Sequence, residues 1–219
     1  IPGAGTEALG AVGLCFPVII LVTGFTNMFG LGGAPLFSMA LGQGNREKAI
    51  DIQNTALRLL VLVGAGILLV GELLGDRILL LFGATTEELS LALPYLRIYL
   101  VGTIFIMVST GMNAYINAQG FPVVGMISVT IGAASNLILD PLFIFGLKLG
   151  VSGAAIATVL SQLLSFLFVL TFLFGKRNEL PVCFAWRFPY AGAIMSLGLA
   201  PFIMQVTNSL VQIACNSVL

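Results

Sequence analysis

Six long runs of apolar residues, separated by short polar turns, account for nearly all of this chain. They fall at Leu9 to Leu41, Leu57 to Leu74, Leu93 to Ala118, Phe121 to Leu147, Leu149 to Phe174 and Tyr190 to Leu219. Each is near or above the ~20 residues that cross a hydrocarbon core as a helix. The runs are continuous and lack the in–out alternation of membrane barrel strands, so the pattern predicts an all-α polytopic membrane protein with six transmembrane helices. The first run is long for one crossing. Pro17, Gly24, Gly30, Gly32, Gly33 and Pro35 are the places where it is expected to bend.

The turns carry their own signals. Gly42-Gln43-Gly44-Asn45 ends one helix on glycine and opens the next with an Asn cap. Gln119-Gly120-Phe121-Pro122 is a tight turn, and Gly146 to Gly153 leaves little room for a loop, so the fourth span packs antiparallel to both neighbours. Gly175 to Pro189 is the longest polar stretch and reads as a cytoplasmic linker, either an ordinary loop or a segment along the interface anchored by Trp186.

Composition agrees with the pattern: 58% of the 219 residues are hydrophobic and 8% are charged, against about a quarter charged in soluble domains. Nothing at the N-terminus resembles a secretory signal. The chain opens on Ile1 and stops inside an apolar run at Leu219, which reads as a fragment of a longer protein. Positive charge marks the cytoplasmic side. Arg46, Lys48, Lys176, Arg177 and Arg187 fall on one side, and Arg77 and Lys148 on the other. That places the N-terminus outside and the turns after the first, third and fifth spans inside.

Asp140 is the one charged residue in the fourth run. A carboxylate at mid-membrane costs about 2.5 to 3.5 kcal/mol on insertion scales, and such groups usually face a partner, a cavity or an ion path. Asn136 lies one helical turn before it on the same face. Pro141 follows, and its missing N–H releases the carbonyl of Leu137. Carboxylate, amide oxygen and freed carbonyl form a hard-oxygen set suited to Na+ or to a proton in its place. The plainer alternative is a local hydrogen bond beside a kink. In the next span Gly153, Ala157 and Ser161 repeat every fourth residue, as do Ala154, Thr158 and Gln162, a pattern that lets helices approach closely. Laid antiparallel at 1.5 Å per residue, Thr158 reaches the depth of Asp140. Its hydroxyl either completes the oxygen cluster or bonds back to its own helix.

Tyr95 and Tyr99 share a face toward the outer side of the third span, and Asn113 and Asn117 share one near its inner end. They read either as cavity groups or as an aromatic belt and a helix-end hydrogen bond. Asn113 falls well away from Asp140 in depth. Arg97 reads as a snorkelling residue.

Other chemistries are excluded. Cys15, Cys183 and Cys215 lack metal-ligand spacing and the chain has no His. Gly30-Leu31-Gly32-Gly33 follows no strand and no Walker sequence occurs. One deep carboxylate does not make a membrane-embedded active site, so no enzyme activity, no cofactor and no nucleic-acid partner is expected.

Gly42-Gln43-Gly44-Asn45 with Ala49, the stretch Asn113 to Gly120, Asn136 to Gly146, and Gly150 to Thr158 together resemble the multidrug and toxic compound extrusion (MATE) family. The resemblance covers nearly the whole chain. It implies a twelve-helix, two-lobe exporter of organic, often cationic, small molecules, working in the plasma membrane against Na+ or H+ entry by alternating access. By that likeness residues 1–175 hold the second to sixth helices of the first lobe, 176–189 the linker, and 190–219 the first helix of the second lobe. In the family branch that uses its first lobe for coupling, the resemblance implies that an Asp on the family's first helix, upstream of Ile1, joins the cation site. Asn136, Asp140 and Thr158 match its other positions, with Tyr95, Asn113 and Tyr99 as weaker members of the network. A lipid or polysaccharide flippase of the same superfamily, or a non-transport membrane subunit, is the alternative. The flippase would need basic residues in its cavity, and the deep parts of these spans have none.

Overall fold

A computed structural model describes residues 5–175, 178, 180–183 and 187–216, all in helices and their connections. Seven helices follow in order: α1 Gly5–Gly42, α2 Arg46–Leu81, α3 Thr86–Val101, α4 Thr103–Ala118, α5 Pro122–Pro141, α6 Gly150–Leu173 and α7 Ala191–Asn216, with a π-helical turn at Leu142–Gly146 after α5. Five segments are each long and apolar enough to cross a membrane, and the bent pair α3–α4 makes a sixth.

That pair corrects the expected third span. The segment begins earlier, at Thr86, and breaks at Gly102, where α3 and α4 meet at 50°. The break has a packing cause. At Gly102 a Cβ would lie 2.8 Å from Val159 Cγ2 on α6, so the bare backbone lets α6 press into the corner. The Gly102 N–H turns to Tyr99 O at 2.9 Å, tightening the last turn of α3. Thr85 and Glu88 form a reciprocal capping box at the start of α3.

α2 is also longer than its apolar core. It starts at Arg46, where Asn45 accepts from Lys48 N at 3.1 Å as the cap signal requires, and Gly44 at φ +71 closes α1. Its early polar turns count as span because Gln53, Asn54 and Thr55 are buried. α1 stays one unbroken helix despite its prolines and glycines. Its glycines admit neighbours instead. Gly30 meets Gly111 of α4, with a Cβ only 3.1 Å from Gly111 Cα, Gly32 meets Gly198 of α7, and Gly33 lies under the Tyr115 hydroxyl.

α1 packs on α2, α3, α4 and most extensively on α7. One buried cluster joins Phe29 and Phe37 of α1, Ile52 and Leu60 of α2, and Met107, Met112 and Tyr115 of α4. Tyr115 crosses it edge-on to Phe37, with ring centres 5.4 Å apart, and donates to Phe29 O at 2.8 Å. That bond satisfies the hydroxyl and costs α1 nothing, since a carbonyl has a second lone pair. A second cluster gathers Cys15, Leu79, Tyr95, Leu96, Tyr99 and Leu100. Large side chains outside these clusters, such as Leu69, Leu73 and Ile138, are exposed on the apolar exterior.

The stretch Lys48 to Arg58 of α2 lies beside Pro181, Cys183, Pro189 and Tyr190, and Gln53 accepts from Gln119 Nε2 at 2.9 Å. The turns after α1 and α4 and the segment before α7 therefore share one end of the bundle, as the charge pattern implied. Lys176, Arg177 and Trp186 lie outside the described residues.

Candidate functional site

The site is built where α5 ends. Pro141 gives no N–H to Leu137 O, and Leu142 N–H goes to Leu139 O rather than one residue further back. The helix then widens into the π turn, closed by Leu147 N to Leu142 O at 2.9 Å. This is the loosened turn expected of Pro141, and π turns often mark functional positions. Lys148, at φ +56, reverses the chain into α6.

α6 packs tightly against this stretch. Gly153 faces the backbone of Phe143, where a Cβ would lie 2.8 Å from the carbonyl oxygen. Gly153, Ala157, Ser161 and Ser165 are all buried, and Ser165 bonds Ser128 Oγ at 3.0 Å and Ser128 O at 2.8 Å across the α5–α6 seam. The spacing of small residues thus delivers the close approach it predicted.

That seam brings the three sequence-predicted oxygens together. Asn136 Nδ2 donates to Asp140 Oδ1 at 3.3 Å and to Thr158 Oγ1 at 3.4 Å. Thr158 donates its own proton to Ala154 O at 2.9 Å. The two sequence alternatives for Thr158 are therefore compatible: because the hydroxyl's proton is spent on its own helix, its lone pairs face Asn136. All three side chains are half-buried. As hydrogen-bonded here, the amide NH2 occupies the middle of the cluster. A half-turn of the amide would put its oxygen there instead, beside a carboxylate and a hydroxyl, a hard set for a small cation.

Tyr95 and Tyr99 are not a lipid-facing belt. Both are buried, with rings stacked at 6.4 Å and 11°. Tyr99 lines a narrow crevice with Thr158, Val159 and Gln162. Asn113 and Asn136 both line a cavity of about 270 Å³ between α4, α5 and α6, together with Ser109, Thr110, Thr158 and Gln162. Asn113 also approaches Gly125, eleven residues before Asn136, or roughly 16 Å along α5 at 1.5 Å per residue. The structure therefore joins Asn113 to the cluster through a cavity and not by contact. The Asn113 Oδ1 atom is buried with no hydrogen-bond partner.

Arg97 reaches Glu72 Oε2 at 3.7 Å, both side chains being well exposed, a pair worth at most about 1 kcal/mol. Gln162 lines both the crevice and the cavity, a place that its spacing as a helix-contact residue does not reveal by itself. Its position one turn after Thr158, on the same face, is the signal that would have found it.

The sequence profile described as MatE matches residues 2–142. The chain belongs to the MatE family. Its matched stretch runs from α1 through Asp140 to the first residue after Pro141, so Asn136 and Asp140 lie inside it and Thr158 beyond it. A multidrug export protein MepA from Staphylococcus aureus is 26% identical over 204 residues, which is 92% of this chain and 45% of the relative. A solved inward-facing conformation of a multidrug resistance MATE family transporter of the MOP superfamily is 30% identical with a TM-score of 0.92, covering 99% of this chain and 50% of that one. An outward-facing conformation of such a transporter, also 30% identical, gives 0.87 over 94% and 47%. The chain spans about half the length of the relatives it matches. MatE proteins are membrane transporters, not enzymes, and the helical, multi-pass architecture of this chain is theirs.

Proposed function

We propose that the full-length protein is a secondary active multidrug exporter of the plasma membrane, antiporting organic, often cationic, compounds against Na+ or H+. The observation that carries this is Asn136 bridging Asp140 and Thr158 at the head of a polar cavity. Export is supported by the names of the relatives. In this reading residues 1–175 form most of the first lobe, 176–189 the linker and 190–219 the first helix of the second lobe, with the N-terminal end of α1 outside.

A proton or Na+ arriving at Asp140 removes its negative charge from a low-dielectric seam and competes for the oxygens that Asn136 now bridges. Cation and drug each favour a different arrangement of the lobes, so binding of one drives release of the other. No Lys or Arg lines the cavity between α4, α5 and α6 among the described residues, which favours a cationic cargo over a phosphate-bearing lipid headgroup.

The test is the complete protein in proteoliposomes with a Na+ or pH gradient imposed separately. Efflux of a cationic dye rises with at least one gradient, and indifference to both sinks the reading. Thr158→Val removes one oxygen while keeping shape. With one polar contact worth about 1 kcal/mol, the concentration of coupling ion that half-drives efflux rises by roughly five- to tenfold, and Thr158→Ser restores it.

A further inference from the structure

α2 carries a polar collar that the cation cluster does not use. Gln53, Asn54 and Thr55 are 0%, 2% and 0% exposed in the early turns of this helix. Asn54 donates to Pro181 O at 3.1 Å and accepts from Cys183 N at 2.9 Å. Thr55 donates to Pro189 O at 2.8 Å. Arg58, one turn on, donates through Nη2 to Cys183 O at 2.9 Å and through Nη1 to Arg187 O. Every one of these contacts is to main chain, so the collar holds the backbone at Pro181, Cys183, Arg187 and Pro189 whatever side chains those residues carry. Gln53 ties the same collar to the turn after α4 through Gln119.

The next residue is Tyr190, and it breaks the pattern. Its φ is +65, a conformation disfavoured by roughly tenfold or more in a residue with a side chain. Immediately after it α7 begins, with Ile194 N bonding Tyr190 O at 2.9 Å. Lys48 of α2 stands 5.8 Å over the centre of its ring. A clamped Pro189 on one side and the first turn of α7 on the other leave one strained residue between them to absorb rotation, and domain hinges are a few element-terminal positions of this kind.

We propose that Tyr190 is the hinge on which α7, and the lobe it opens, turns against the first lobe, with Asn54, Thr55 and Arg58 holding the linker to the first lobe. This rests on the two-lobe reading above. The left-handed φ is required in the arrangement seen here and relaxes when α7 swings. Tyr190 stores bias against this arrangement, and the Lys48 contact offsets part of it.

The experiment uses the full-length protein without its native cysteines, spin-labelled at Leu147→Cys and Leu210→Cys, away from the collar. Pulsed dipolar distances give the ratio of the two lobe arrangements with no drug or ion gradient present. Tyr190→Gly and Tyr190→Ala both lose the ring contact and differ only in tolerance of positive φ. The Gly variant favours the present arrangement by about tenfold over the Ala variant. Thr55→Val, which frees Pro189 O, lowers that Gly-to-Ala difference below threefold. Equal ratios for Gly and Ala, or a single distance in the wild type, overturn the hinge. A tenfold difference that survives Thr55→Val overturns the clamp. Loss of ion-driven efflux with the tenfold difference intact overturns the transport reading and leaves the hinge standing.

Discussion

Asp140→Asn in the full-length protein abolishes ion-driven efflux while the protein still inserts, folds and binds drug. The substitution is isosteric, and an Asn at 140 still offers an oxygen to the Asn136 amide, which donates to Asp140 Oδ1 at 3.3 Å here. The seam of Gly153, Ala157, Ser161 and Ser165 against α5 does not involve the carboxylate, so its packing is unchanged. What disappears is the one charge in α5 that a proton or Na+ can neutralise. One charge moving through 100 mV yields about 2.3 kcal/mol, roughly a 40-fold concentration ratio of drug. In proteoliposomes that ratio collapses toward one, whereas the midpoint of thermal unfolding in detergent stays within a few degrees of wild type. Gradient-driven accumulation at the wild-type ratio would show that coupling runs through some other group.

The parts of this site that sequence reveals are those set by local geometry. A spacing of four puts Asn136 and Asp140 on one helix face whatever the rest of the protein does, and the short turn before Gly150 fixes the depth of Thr158. The glycine and alanine repeat of α6 told how close α5 could come. What sequence did not show depends on partners far along the chain. The break at Gly102 exists because Val159, on another helix, occupies the space where a Cβ would sit. Tyr95 and Tyr99 resemble belt residues by composition and depth, and it is the packing of α3 against α1, α2 and α6 that buries them. The early turns of α2 fall outside its apolar run because Gln53, Asn54 and Thr55 are polar. They are buried nonetheless, since backbone from more than 120 residues later satisfies Asn54 and Thr55 and Gln119 satisfies Gln53 in part. Hydropathy counts a polar residue as exposed and has no means of seeing its partner.

The same distinction decides the fate of the glycines, and it separates two substitutions in α7 that sequence would treat alike. A Cβ at Gly198 would run into the backbone of Met28, falling 2.8 Å from its Cα and closer still to its carbonyl oxygen, whereas a Cβ at Gly192 meets nothing within 4 Å. Inside a membrane the lipid is as apolar as the helix faces, so α1 and α7 are held by close packing rather than by exclusion of water. Gly198→Val therefore forces the two backbones apart along the most extensive helix pair in the chain. Overpacking of this kind costs about 1 to 3 kcal/mol where side chains can yield. Here the obstacle is main chain, so the loss should reach or exceed the upper figure, with Gly198→Ala in between. Gly192→Ala goes the other way, gaining up to about 1 kcal/mol from helix propensity alone. Thermal unfolding of the purified variants, read by intrinsic fluorescence, should rank them Gly192→Ala, wild type, Gly198→Ala, Gly198→Val from most to least stable. Gly198→Val melting with wild type would mean that α1 and α7 do not meet at the Met28–Gly198 crossing.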